Sequence, residues 1–263
     1  MKKIFTILFA IIFLLQSCNN KTERTKEKSF MIEDSISIKT NEEKTVLPEE
    51  GGKYIIIVEQ IDSIKYYLQN AKGNNPKNEI KKITDFKVAK KLLTGIVEFD
   101  ETEIDYPMIK QINFKNNQKR KNKSYFELDD CSFKAYYPDE NILLCEGGHS
   151  TDVSFNLING QETELTGNPD YINTSPNKLF RINGHYDGQE CSSYFIQKKT
   201  KNEFEKIIQL DTEFEKQTNK WLCIMGDNFW KDDTTFYLTL VTSYGEDRKN
   251  LGFYKIELFK KVR

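Results

Sequence analysis

Two stretches decide the fold: Pro138-Asp139-Glu140-Asn141-Ile142-Leu143-Leu144-Cys145 and Pro176-Asn177-Lys178-Leu179-Phe180-Arg181-Ile182. Each opens with turn formers, which lock or relax φ, and continues as an apolar run of strand length. Each then breaks at glycine, in Gly147-Gly148-His149 and in Gly184-His185, and resumes as a second run, Val153 to Ile158 and Ser193 to Ile196. The prolines and the histidines recur at nearly the same interval. Strand–turn–strand units in tandem resemble propeller blades, but two copies and a degraded third cannot close a ring of four or more blades. The chain is therefore expected to be mainly β, an antiparallel hairpin meander of propeller-like or sandwich form.

Working outward, Phe204 to Leu210, Trp221 to Met225, Thr235 to Thr242 and Gly252 to Phe259 read as further strands. Toward the N-terminus, Met108 to Phe114 and Ser124 to Leu128 read as a hairpin around the basic loop Lys115 to Lys123. That loop is either simply solvated or a contact for anionic lipid headgroups or an acidic partner. Tyr54 to Val58 is a β-branched strand, and Ile64 to Leu68 reads as its neighbour. One segment departs from the β pattern. Ile80, Ile83, Phe86, Ala89, Leu92, Leu93 and Ile96 fall at steps of three and four, which predicts an amphipathic helix over residues 77–94, between Pro76 and Gly95.

Among 263 residues, Lys+Arg is 39 and Asp+Glu is 40, so no basic excess favours nucleic acid as a partner. With 18 Phe, 13 Tyr and 2 Trp, the chain can fill a core despite being 30% charged. Lys2-Lys3 followed by Ile4 to Leu15 forms a basic start and a short apolar run. A helix over that run is too short to span a bilayer of about 30 Å and has the shape of a secretory leader.

Leu15-Gln16-Ser17-Cys18 resembles the lipobox of bacterial lipoproteins. The resemblance covers residues 1–18 alone. It implies removal of residues 1–17, acylation of Cys18, and attachment of the mature chain to a membrane of the bacterial envelope. With only Glu23 and Glu27 among several lysines after the cysteine, and no acidic cluster, the chain is expected to face the periplasm. Residues 18–50 are then a lipidated N-terminus and a polar, flexible tether, in which Ser35 to Ile38 is the one strand-like patch. Residues 51–263 are the body, divided into a helix-containing part, 51–130, and repeat-like hairpins, 131–263.

The sequence carries no hydrolase elbow, zincin helix, phosphate loop or dinucleotide fingerprint, and no cofactor is implied. His149 and His185 occupy matching positions in the two repeats, with Asp152, Asp187 and Cys191 close in sequence. His149, His185 and Asp187 are the candidate metal ligands, although their spacing fits no standard zinc pattern, and the expected metal is none. Asn183 to Gly188 resembles half a calcium loop but lacks its terminal glutamate, and turns explain it more simply. Cys131 and Cys191 lie in polar stretches and are the expected disulfide pair, whereas Cys145 and Cys223 lie in apolar runs. Tyr136, Tyr137, Phe229, Trp230 and Tyr186 could form an aromatic platform or belong to the core. The function expected is non-enzymatic: an envelope-anchored module that binds a protein or glycan. The alternative is a metal-dependent hydrolase centred on His149 and His185.

Overall fold

The computed structural model describes residues 53–71, 79–100, 102, 107–121, 131–188, 191–201, 203–244 and 249–261. The leader, Cys18, the tether and the Ser124 to Leu128 strand lie outside the described residues. Within them the protein is mainly β, and every named strand pair is antiparallel.

Sheet A has four strands. β1 (Tyr54–Ile61) is β-branched and alternates between two faces. Ile56 and Val58 enter one core, while Ile55 and Ile57 face outward. Asp62 then stops the strand and caps α1 (Ser63–Asn70), its carboxylate accepting from the Lys65 N–H at 2.7 Å. Residues 64–68 are therefore helical, not the strand that Ile64 and the two tyrosines suggested, because the cap starts a helix that buries Tyr66.

The long helix expected over 77–94 is also shorter. α2 is Phe86–Leu92, capped by Asp85. Ahead of it the chain is extended, with Ile83 bridged to Tyr136 in both directions at 2.9 Å. Ile80 and Ile83 thus reach buried clusters from an extended segment and not from a helix face.

Sheet B contains β2 (Val97–Asp100), β3 (Met108–Asn113), β4 (Lys119–Lys121), β5 (Ser132–Tyr137), β6 (Ile142–Glu146) and β7 (Asp152–Asn156). β4 pairs with β3 directly, so the basic hairpin turns at residues 114–118, more tightly than expected. One face of sheet B packs Leu143, Cys145 and Phe155 under Ala89 and Leu93 of the α2 segment.

A short α3 (Thr163–Thr166) leads to sheet C: β8 (Asn173–Thr174), β9 (Phe180–Tyr186), β10 (Ser192–Lys199) and β11 (Phe204–Gln209). Then come α4 (Leu210–Thr218), β12 (Met225–Trp230), β13 (Thr235–Tyr244) and β14 (Lys249–Lys260), which finish sheet A in the order β1-β14-β13-β12. β1 pairs with β14 from Tyr54↔Lys260 to Ile61↔Phe253. Strands of residues 51–130 thus pair with strands of residues 131–263, β1 with β14 and β3 with β5.

Sheets A and C enclose the main core. Phe180, Ile182, Tyr194 and Ile196 face Trp230, Phe236, Leu238, Tyr254 and Ile256, with Phe214 of α4 closing one side. Along one edge the Trp230 indole donates to the Asn173 carbonyl at 3.0 Å. The other edge belongs to β1, where Gln217 of α4 accepts from the Val58 N–H at 3.0 Å and donates to the Ile56 carbonyl at 3.1 Å. A side-chain amide thus occupies the place of a neighbouring strand on an exposed sheet edge.

The alternate residues of sheet C are polar. Arg181, Asn183, His185 and Gln197 are all buried on the face opposite the core. Arg181 bonds Gln197 and Glu140, both at 2.7 Å, and its guanidinium lies 3.8 Å over the Phe204 ring. Asn183 donates to the Thr166 carbonyl at 2.8 Å, and Gln197 to the Leu165 carbonyl at 2.7 Å. A polar seam therefore joins sheet C to α3 and to the β5–β6 turn. Gly167 belongs to this seam. Its φ is +69°, and a Cβ there would stand 2.6 Å from the Asn183 side chain.

Candidate functional site

Where the seam reaches the surface it opens into a cleft of about 370 Å³, lined by Lys134, Asp152, Asn168, Asp170, Tyr171 and Tyr186. That is within the range of small-ligand clefts, roughly 300–1,000 Å³. Lys134 comes from β5, Asp152 opens β7, and Tyr186 closes β9. Asn168, Asp170 and Tyr171 come from a single 3-10 turn, held because Asn168 caps it through the Asp170 N–H at 3.0 Å and donates its own N–H to the Gly184 carbonyl at 2.6 Å.

Asp152 organises one wall. Its side chain is 2% exposed, and a buried carboxylate persists only when paired and hydrogen-bonded. Lys134 Nζ reaches Oδ1 at 3.0 Å, while Asn168 Nδ2 and the Tyr186 N–H reach Oδ2 at 2.9 and 3.0 Å. The opposite wall is Asp170, whose Oδ2 accepts from Lys82 at 2.5 Å. Tyr171 meets the Ser192 hydroxyl at 3.0 Å, and burial raises its own hydroxyl above the ordinary tyrosine range.

Tyr137 lies behind this wall. Burial, and then the neighbouring Asp170 carboxylate, push its hydroxyl well above the ordinary range, and its oxygen has no hydrogen bond of good geometry among the described residues. Ser154 Oγ and His185 Nδ1 share that condition. Chemically, the cleft offers fixed donors and acceptors and two tyrosine rings, which suits recognition of a polar ligand. Its lining holds no nucleophile paired with a base.

The expected site residues are placed differently from one another. His149 sits in an exposed turn with φ 57°. His185 lies within β9, 6% exposed at the side chain, with Nε2 3.5 Å from Glu164 Oε1. That imidazole holds the Glu164 carboxyl below the usual carboxylate range. Asp187 is exposed in the turn after β9. The repeat equivalence of the two histidines is thus absent, because one occupies a turn and the other a strand. Among the described residues no group of three or more His, Cys, Asp or Glu side chains could hold a metal ion.

The expected Cys131–Cys191 pair is not formed. Cys191 is bonded to Cys223, and the Ser192 N–H donates to the Cys223 carbonyl at 3.0 Å. Cys131 packs instead in the sheet B core, in the same cluster as Cys145, whose thiol burial pushes well up. Of the aromatic candidates, Tyr136, Tyr137, Phe229 and Trp230 are buried, and Tyr186 alone lines the cleft. Lys134, Asn168, Asp170 and Tyr171 carried no sequence signal beyond the Asn168-Pro169-Asp170 turn chemistry. No family model, no curated protein and no solved structure matches this chain.

Proposed function

We propose that the mature chain is a lipid-anchored protein of the bacterial envelope whose β body binds a protein or glycan at the Lys134–Tyr186 cleft. Its leader and Cys18 supply the anchor, as read from the sequence. The Cys191–Cys223 disulfide supports an oxidising, extracytoplasmic compartment, since such bonds are rare in the cytosol. The observation that carries the binding reading is the preorganised Asp152 network. Three donors from three separate chain segments fix one buried carboxylate in the wall of an open cleft. Such a site spends little ordering entropy on a ligand.

Amide chemical shifts of the mature chain, titrated with envelope oligosaccharides and peptides, test the binding reading. Shifts clustered at residues 134, 152, 168, 170, 171 and 186, weakened in Asp170→Ala, are expected. A ligand whose shifts fall elsewhere overturns the assignment of the cleft. Location is tested separately: Cys18→Ala is expected to release the protein from the membrane fraction, and retention there refutes the anchor.

A further inference from the structure

Of the nine large hydrophobic side chains exposed among the described residues, six lie on one side of the molecule: Ile55, Ile57, Ile64, Tyr67, Leu68 and Phe259. The register explains why. Ile56 and Val58 of β1, with Ile256 and Leu258 of β14, point into the main core, so Ile55, Ile57 and Phe259 point away from it. Ile55 and Phe259 stand directly opposite each other across the two strands. α1 lies on the same outer face. Its Tyr66 packs on Phe229, Tyr237 and Phe253, and Lys65 bonds Glu59 at 2.9 Å. Ile64, Tyr67 and Leu68 then form the exposed stripe of that helix, spaced by three and four. At 72%, 54% and 56% exposure they are far more open than an ordinary helix face requires.

Charge is arranged around these groups. In the middle of the face Glu59 and Glu257 neutralise Lys65 and Lys255, at 2.9 to 3.7 Å. At its end, one row beyond Tyr54↔Lys260 and two residues on from Ile55 and Phe259, the exposed Lys53 and Lys261 stand opposite each other, the Lys261 N–H donating to the Lys53 carbonyl at 2.8 Å. The nearby carboxylates of the β12–β13 turn are engaged with backbone, Asp232 with Thr234 and Thr235, and Asp233 with Asn177. Apolar side chains bordered by lysines suit an anionic lipid surface, where the lysine stems lie along the apolar region and the ammonium groups meet phosphates.

Lys53 is also where the segment leading back to Cys18 enters the body. An anchor at Cys18 would thus be joined to the body at this end of sheet A.

We propose that the outer face of sheet A, with Ile55, Ile57 and Phe259 beside Lys53 and Lys261 and the exposed stripe of α1, docks against the anionic lipid surface. This inference rests on the lipid-anchored reading for its setting, but its test is independent of acylation. The mature chain carrying Cys18→Ser, which cannot be acylated, is sedimented with vesicles of phosphatidylethanolamine and phosphatidylglycerol, and with phosphatidylcholine vesicles. Binding to the anionic vesicles is expected, reduced about tenfold or more in Ile55→Ser/Ile57→Ser/Phe259→Ser through lost apolar burial. The surface variant Lys53→Glu/Lys261→Glu, which disturbs no core, is expected to lose binding to the anionic vesicles while keeping the native circular dichroism spectrum. Folded protein that ignores the anionic vesicles, or that binds them equally after the charge reversal, overturns the proposal. So does a dimer that the triple variant abolishes without vesicle binding, which assigns the face to a second copy. Mass spectrometry of Cys18 from native cells decides the anchor by itself.

Discussion

Arg181, buried in β9, donates from Nη1 to Glu140 Oε2 at 2.7 Å and so ties sheet C to the β5–β6 turn of sheet B. Burial lowers the guanidinium pKa against the opposing pull of Glu140, and an arginine side chain is charged at neutral pH in any setting. Glu140→Ala leaves that charge buried without its carboxylate and is expected to cost about 3 kcal/mol, the lower end for a broken buried pair because Glu140 is 23% exposed. Arg181→Met, which removes the charge and keeps the packing on Phe204, is expected to cost less. Urea denaturation of both variants checks the order. A Glu140→Ala variant as stable as the parent contradicts it.

The Cys191–Cys223 bridge closes a separation of 32 residues. The chain-entropy relation gives about 3–4 kcal/mol for a loop of that length. Thermal unfolding with and without dithiothreitol is expected to show that loss, and Cys223→Ala is expected to reproduce it. Equal midpoints in the two conditions would falsify a structural role for the bridge.

Gln217 guards the free edge of β1. Gln217→Ala removes both of its bonds to β1 and is expected to cost about 1 kcal/mol, the groups being partly hydrated. The larger effect is expected in solubility, because the bare edge offers a template to other chains. Gln217→Glu keeps an acceptor for Val58 but aims a carboxylate at the Ile56 carbonyl, and is expected to behave like the alanine variant. Light scattering of the three proteins at matched concentration reads the difference.

Burial raises the hydroxyls of Tyr66, Tyr137, Tyr171, Tyr194 and Tyr237 above the ordinary value of 10.0. A raised folded-state pKa means that the unfolded chain loses its protons first as pH climbs. The associated stability is complete below about pH 10 and is lost above it. Absorbance at 295 nm is expected to show the exposed tyrosines titrating smoothly, followed by a cooperative rise as the body unfolds. A single smooth titration of all tyrosines without unfolding would refute the buried assignments.

Some of this was legible in the residues and some was not. The strands at Tyr54, Met108, Ile142, Phe204 and Thr235 announce themselves because β-branched and aromatic runs satisfy a pleated, half-buried surface wherever they pair. Ile64 to Leu68 misleads because the same residue types can line a helix once Asp62 caps it. The period through Ile80 and Ile83 misleads because an extended segment crossing a sheet buries residues at helical intervals by coincidence. The near-repeat of His149 and His185 is spacing without structural equivalence. The Cys191 partner could not be read, since polar surroundings in sequence do not report which layer a cysteine joins. The cleft was the least legible feature. Asp152 stood in view as an acid close in sequence to His149, but its partners lie on β5, β9 and a 3-10 turn, which only the assembled seam brings together.

The pairing of β1 with β14 sets the order in which the molecule can mature. The first described strand waits for the last before sheet A, and with it the main core, is complete. Such long-range closure slows folding. Until β14 is in place β1 has no strand neighbour among the described residues, so the last described strand works as the latch of the main core.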